Sequence, residues 1–294
     1  MLKLQLASLA AAAALSVGVM GSVQAGPLTL ISGDFKFTID NYDSGTTKYP
    51  NGTPVCNSVG SCDSVAGIAP APGSVGSSNP SADTMGIFSV AQISRISDGS
   101  VFWQKGPGEY LTGVFGNLQD HYVDAGSIGS SNVTSTRSVG GTWALWMNTV
   151  DYNPALGPLA GDLNALSYPG ISGGTPWLSG YFGVGVIAAD GATTYTSTYN
   201  TDTLAGAGQA YLEVNGGTAR AQFDTDSLID ADGHKHDLFM DITFNDADGA
   251  ASNIGWTVTS SGQIKGNAVP EPGTMALAGL ALLGAGLASR RRKA

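Results

Sequence analysis

The chain is short of positive charge, of glutamate, of cysteine and of histidine. It carries 13 Lys and Arg against 23 Asp and Glu, a formal net charge of −10. A phosphate backbone is held by Lys and Arg, so nucleic acid is excluded as a partner. Adsorption to anionic membrane surfaces is disfavoured for the same reason. Glu109, Glu213 and Glu271 are the only glutamates, so nearly every acid is Asp. Asp favours turns and caps where Glu favours helices, which argues against a helical body. No Gly-x-Ser-x-Gly elbow is expected, His-Glu-x-x-His and P-loop motifs are missing, and the expectation is a protein that is not an enzyme and needs no cofactor.

What is present in quantity is glycine, 42 residues, together with Ser and Thr and short apolar runs of period two. Phe35-Lys36-Phe37-Thr38-Ile39, Met85 to Ile96, Gly99 to Lys105, Tyr110 to Gly116, Thr142 to Met147, Trp177 to Ile187, Thr193 to Tyr199, Gln209 to Val214, Ala219 to Phe223, Asp237 to Phe244 and Asn253 to Thr259 read as strands. Tyr42 to Asp83 and Asp151 to Pro176 read as long loops, and Ser260 to Ala268 as a linker. About ten short strands separated by turns predict one all-β domain over 26–268, an antiparallel sandwich or jelly roll. No second domain boundary is apparent.

The two ends differ from this body. Lys3, the apolar run Leu4 to Met20, and Val23-Gln24-Ala25 make a secretory signal pattern, with cleavage expected between Ala25 and Gly26. Cys56 and Cys62 are then expected to pair as a disulfide in an exported chain. At the other end, Pro270-Glu271-Pro272 precedes an uncharged stretch, Met275 to Ala288, and the basic cluster Arg290, Arg291, Arg292 and Lys293. The prolines hold an extended peptide. The apolar stretch, predicted as a helix, is short for a bilayer that needs about 20 residues. The basic cluster keeps its end cytoplasmic and the body outside.

That three-part order resembles the PEP-CTERM sorting domain of exported Gram-negative proteins. The resemblance covers 269–294. It implies that exosortase, a membrane-bound transpeptidase-like cysteine protease, reads Pro270-Glu271-Pro272 while the tail rests transiently in the inner membrane. It also implies a destination at the cell surface or outside the cell, and a structural or binding role in exopolysaccharide or biofilm. It does not fix the activity of the exported body.

Three internal features carry alternatives. Asp224, Asp226, Asp230 and Asp232 place hard oxygen ligands at alternate positions, as calcium requires. The EF-hand pattern fails, however, and Asp232-Gly233 and Asp248-Gly249 also spell hairpin turns. His234 and His236, two apart, would share a strand face and could hold a transition metal with Asp232 or His121; exposed turn histidines are the plainer reading. Trp103, Trp143, Trp146, Trp177 and Trp256 are either core or sugar-stacking platforms. A calcium-dependent carbohydrate-binding module and an extracellular hydrolase, for which Glu109 and Glu213 are the only body glutamates, stand as the other function classes.

Overall fold

The computed structural model describes residues 31–45, 83–128, 131–163, 165–200 and 202–269. The signal segment, Cys56 and Cys62, Pro270-Glu271-Pro272, the apolar tail and Arg290 to Lys293 lie outside them. Among the described residues no helix is long and apolar enough to cross a membrane.

The described residues form twelve strands, in order: β1 (Gly33–Gly45), β2 (Asp83–Ser94), β3 (Val101–Gln104), β4 (Tyr110–Ile128), β5 (Ser131–Asn148), β6 (Thr175–Gly183), β7 (Tyr195–Asn200), β8 (Ala205–Gly216), β9 (Leu228–Ile229), β10 (Lys235–His236), β11 (Leu238–Asp246) and β12 (Val258–Ala268). Eight of them close an antiparallel barrel, β1-β2-β4-β5-β6-β8-β11-β12 and back to β1. Neighbours in the ring are successive in the chain, so the connectivity is up-and-down. The all-β expectation holds. The sandwich or jelly roll does not, because β1 pairs with β12 and leaves no pair of separate sheets. Period-two patterning marks which residues are buried, but a barrel wall and a sandwich sheet share that pattern. β7 continues the slot of β6: both lie between β5 and β8, at successive heights.

The glycines explain how so narrow a barrel holds such large side chains. Gly86 faces Phe115, and Gly113 faces Phe88, across β2 and β4. Gly180 faces Trp143, Gly206 faces Phe244, Gly262 faces Ile242 and Gly266 faces Leu238. At Gly113 an added Cβ would sit 2.2 Å from the Phe88 ring, and at Gly180 it would sit 1.7 Å from the Glu213 carbonyl oxygen. Each bulky residue therefore lies over bare backbone on the next strand, the packing expected of a small barrel filled by its own side chains. β12 shows the same device. Ser260 to Ala268 is the closing strand, not a linker; its glycines are room for Ile242 and Leu238 rather than flexibility.

One end of the barrel is corked. A one-turn helix, Arg220–Phe223, occupies the segment predicted as a strand from Ala219 to Phe223. Phe223 is fully buried among Phe35, Phe37 and Trp177, with ring centroids 5.1, 5.8 and 5.2 Å away. The Val269 N–H donates to the Gln222 carbonyl at 2.9 Å and fixes the chain as it leaves β12.

A second apolar layer covers the outer wall. Tyr42, Met85, Ile87, Val114 and Trp146 face outwards and pack under Leu163, Tyr168, Ile171 and Trp256. The 151–174 segment is thus a strap with a core of its own. Tyr168 Oη donates to the Gly157 carbonyl at 3.0 Å, and Trp256 Nε1 to the Pro154 carbonyl at 2.7 Å. Asp248-Gly249 opens a short helix, Gly249–Asn253, instead of a hairpin turn.

Candidate functional site

Trp103, Trp143, Trp177 and Trp256 are 1–6 % exposed and Trp146 is half-buried in the outer layer. Their burial assigns them to the core and removes them as sugar platforms. Glu109 immediately precedes β4 and Glu213 lies on β8, with β5 and β6 between those strands in the ring. Gly170-Ile171-Ser172-Gly173-Gly174 spells Gly-x-Ser-x-Gly, which the sequence reading passed over. Ser172 sits in the strap, its hydroxyl donating to the Tyr168 carbonyl at 3.2 Å. It is not on a strand-to-helix elbow.

The open end of the barrel holds a pocket of about 260 Å³, formed from Asp43, Thr84, Asp120, Thr136, Tyr195, Ser197, Tyr199, Phe244, Asp246, Thr257 and Val258. No motif announced it, because it draws on β1, β2, β4, β5, β7, β11 and β12, strands far apart in sequence. Tyr199 and Phe244 stack with an interplanar angle of 9°, and Tyr199 Oη donates to Asp246 Oδ1 at 2.6 Å. Burial of Tyr199 and that bond raise its phenol to about 12. Ser138 Oγ donates to Asp120 Oδ1 at 2.7 Å. Aromatic faces beside carboxylates and hydroxyls make a surface suited to a polar ligand with an apolar face.

Below the pocket the barrel is nearly full. The remaining cavity, about 40 Å³, is lined mainly by apolar side chains, with Asn41, Asp43 and Thr84 among them. Asn41 Nδ2 donates to Asp43 Oδ1, and Asn41 Oδ1 is buried without a partner. Ser260 Oγ reaches Asp43 Oδ2 at 3.3 Å. Burial pushes the Asp43 carboxyl up to about 7, against the two hydrogen bonds that favour its charged form.

The acidic 224–237 segment packs on the outer face of the barrel. The structure separates the four calcium candidates. Asp224 Oδ2 is paired with Arg220 at 2.9 Å. Asp226 donates its backbone N–H to Asp237 Oδ1 at 2.8 Å, and Asp237 also accepts from Val214 N and Thr225 N. Asp237 is buried and ties this segment to β8, a role its sequence position does not signal. Asp230 and Asp232 come together instead with His234, ligand atoms of all three lying within 4.8 Å of one another. Asp232-Gly233 is the tip of the small β9–β10 hairpin, as its spelling predicts.

His236 is 2 % exposed and stacks on Tyr211 with centroids 4.1 Å apart. Its Nδ1 contacts Glu213 Oε1, and its Nε2 lies 3.3 Å from Asp230 Oδ2. His234 Nδ1 lies 2.8 Å from the same oxygen. Asp230 Oδ1 accepts from the backbone N–H groups of Asp232 and His234, at 2.9 and 2.8 Å. Burial raises the Asp230 carboxyl, but the bonds from His234, its backbone and His236 outweigh it and hold the group below the usual carboxylate range. The Asp230 bond raises His234, and burial raises Glu213 against the pull of His236. His234 is thus the exposed turn residue of the plainer reading, while His236 is not. The side chain of His121 is not among those described.

Residues 268–293 match the PEP-CTERM protein-sorting motif. It marks an exported protein that passes transiently through the membrane and is recognised by exosortase. No curated protein and no solved structure was found to match the chain.

Proposed function

Because the chain bears a PEP-CTERM sorting motif, we propose that it is a non-enzymatic exported protein delivered to the cell surface or the polysaccharide matrix, where the barrel has a structural or binding role. The observation that carries this reading is the motif at 268–293. In it, Pro270-Glu271-Pro272 is the peptide read by exosortase, and Arg290 to Lys293 set orientation in the inner membrane until cleavage. These residues form a signal acted on by another enzyme. Replacing Pro270, Glu271 and Pro272 with Ala is expected to leave the uncut chain in the membrane fraction of a host with exosortase. Mass spectrometry of the exported product checks this, and a mature mass unchanged by the substitution overturns it.

A second reading is favoured by the pocket at the open end: a carbohydrate-binding module for matrix polysaccharide. Tyr199 and Asp246 support it, since a partly exposed ring, backed by the buried Phe244, beside a carboxylate offers a sugar ring both a stacking face and a hydrogen-bond acceptor. Calorimetry against matrix polysaccharides is expected to show binding that Tyr199→Ala weakens by about tenfold or more, the loss of roughly 1.4 kcal/mol. No binding to any of them, or binding indifferent to Tyr199→Ala, rejects the reading.

A further inference from the structure

We propose that Asp230, Asp232, His234 and His236 form a binding site for a divalent transition metal, zinc foremost, with Glu213 as the outer carboxylate that orients His236.

The argument begins with the buried imidazole. His236 lies between two carboxylate oxygens, Glu213 Oε1 at Nδ1 and Asp230 Oδ2 at Nε2. A neutral imidazole has one N–H. When Nδ1 donates to Glu213, Nε2 presents a bare lone pair to a carboxylate oxygen 3.3 Å away. Two acceptors facing each other in a buried place need a cation shared between them, either a proton or a metal ion. The surroundings favour the metal. A metal-ligating His characteristically donates its other nitrogen to a carboxylate, and Glu213 is placed to receive it.

The remaining donors gather around Asp230, the carboxylate that both histidines share, in a group of Asp230, Asp232 and His234 that His236 joins through Asp230 Oδ2. His234 Nδ1 is 2.8 Å from Asp230 Oδ2, and one ligand atom of Asp232 falls within the 4.8 Å group. Ligands of a tetrahedral zinc, at about 2.0–2.1 Å from the ion, stand roughly 3.4 Å from one another. The 3.3 Å between His236 Nε2 and Asp230 Oδ2 already has that spacing. His234 and Asp232 are exposed, and their side chains turn to bring a ring nitrogen and a carboxylate oxygen onto the ion held by His236 and Asp230. The scaffold is firm where it matters. Asp230 Oδ1 is held by two backbone N–H groups, and Asp232 Oδ2 accepts from Ala189 N at 2.7 Å. Two imidazoles and two carboxylates are the donor set of zinc and its neighbours and not of calcium, which takes oxygen alone. Two aspartates also neutralise a divalent ion.

The test uses the exported chain purified without a histidine tag and stripped of metal. Zn²⁺ alone is expected to bind one per chain by calorimetry, and Co²⁺ alone to give the intense visible absorption of a four-coordinate ion. His234→Ala and Asp232→Asn, both at exposed positions that leave the barrel intact, are each expected to weaken binding at least tenfold and to bleach the Co²⁺ spectrum. Glu213→Gln is expected to weaken it by about 10- to 100-fold as an orienting partner. Nitrogen-15 NMR of His236 is expected to show a metal-bound Nε2 when Zn²⁺ is present. Absence of saturable Zn²⁺ binding, binding unaffected by His234→Ala and Asp232→Asn together, or a His236 that keeps both ring protons in saturating Zn²⁺ overturns the proposal. The last result would assign the shared cation to a proton.

Discussion

Asp43→Asn is expected to stabilise the barrel by up to about 4 kcal/mol at about pH 8 and to have no stabilising effect near pH 3. The Asp43 carboxyl is moved by burial from 3.8 to about 7. At 1.36 kcal/mol per pH unit, that difference sets the size of the effect. The sign follows from proton binding. Between about pH 4 and 7 the folded chain holds a proton on Asp43 that the unfolded chain has released, so stability falls as pH rises through this window and levels off above it. Asn cannot ionise, and the variant lacks this component of the pH dependence. Urea unfolding of both proteins from about pH 3 to 8 gives the difference curve. A difference that stays flat across the window would mean that Asp43 ionises in the barrel as easily as in the unfolded chain.

Trp256→Ala is expected to cost about 3–5 kcal/mol, the range for emptying a large buried aromatic site. Trp256 is 1 % exposed and lies near the rings of Tyr42 and Tyr168, at 5.9 and 6.4 Å. Its indole N–H also satisfies the Pro154 carbonyl. The loss concerns the outer layer, whereas the barrel interior keeps Phe37, Trp143, Leu145 and Phe182. Amide exchange is therefore expected to accelerate first across 151–174 and later in β5 and β6. Equal acceleration of strap and barrel would show instead that the two layers open as one cooperative unit. The Lys105–Asp151 pair, 3.0 Å and about a third exposed, is too solvated to hold the strap alone.

The sequence was informative where chemistry is local. β1, β2, β6 and β11 sit over the period-two runs that predicted them, because alternation follows directly from one wall facing a core. The Asp232-Gly233 turn was legible for the same reason. The 260–268 segment was not: its Gly262 and Gly266 look like a flexible tether until Ile242 and Leu238 are placed opposite them. Ring closure was equally hidden, since the β1–β12 pairing joins segments more than 200 residues apart. At the outer cluster the spacing of His234 and His236 suggested a shared face, but Glu213 lies on another strand and no local pattern connects it. The open-end pocket is the extreme case, with each of its strands contributing only one to three side chains.

The barrel is sealed by its last strand, and that strand stops at Ala268, two residues before Pro270. A chain crossing the membrane from its N-terminus delivers β1 early and must wait for β12, so one flank of β1 stays unsatisfied through most of transit. The address label emerges in the same moment as the strand that ends this exposure. Completion of the fold and presentation to the sorting machinery thus become nearly simultaneous, and a molecule severed before that point would be released with its first strand still open.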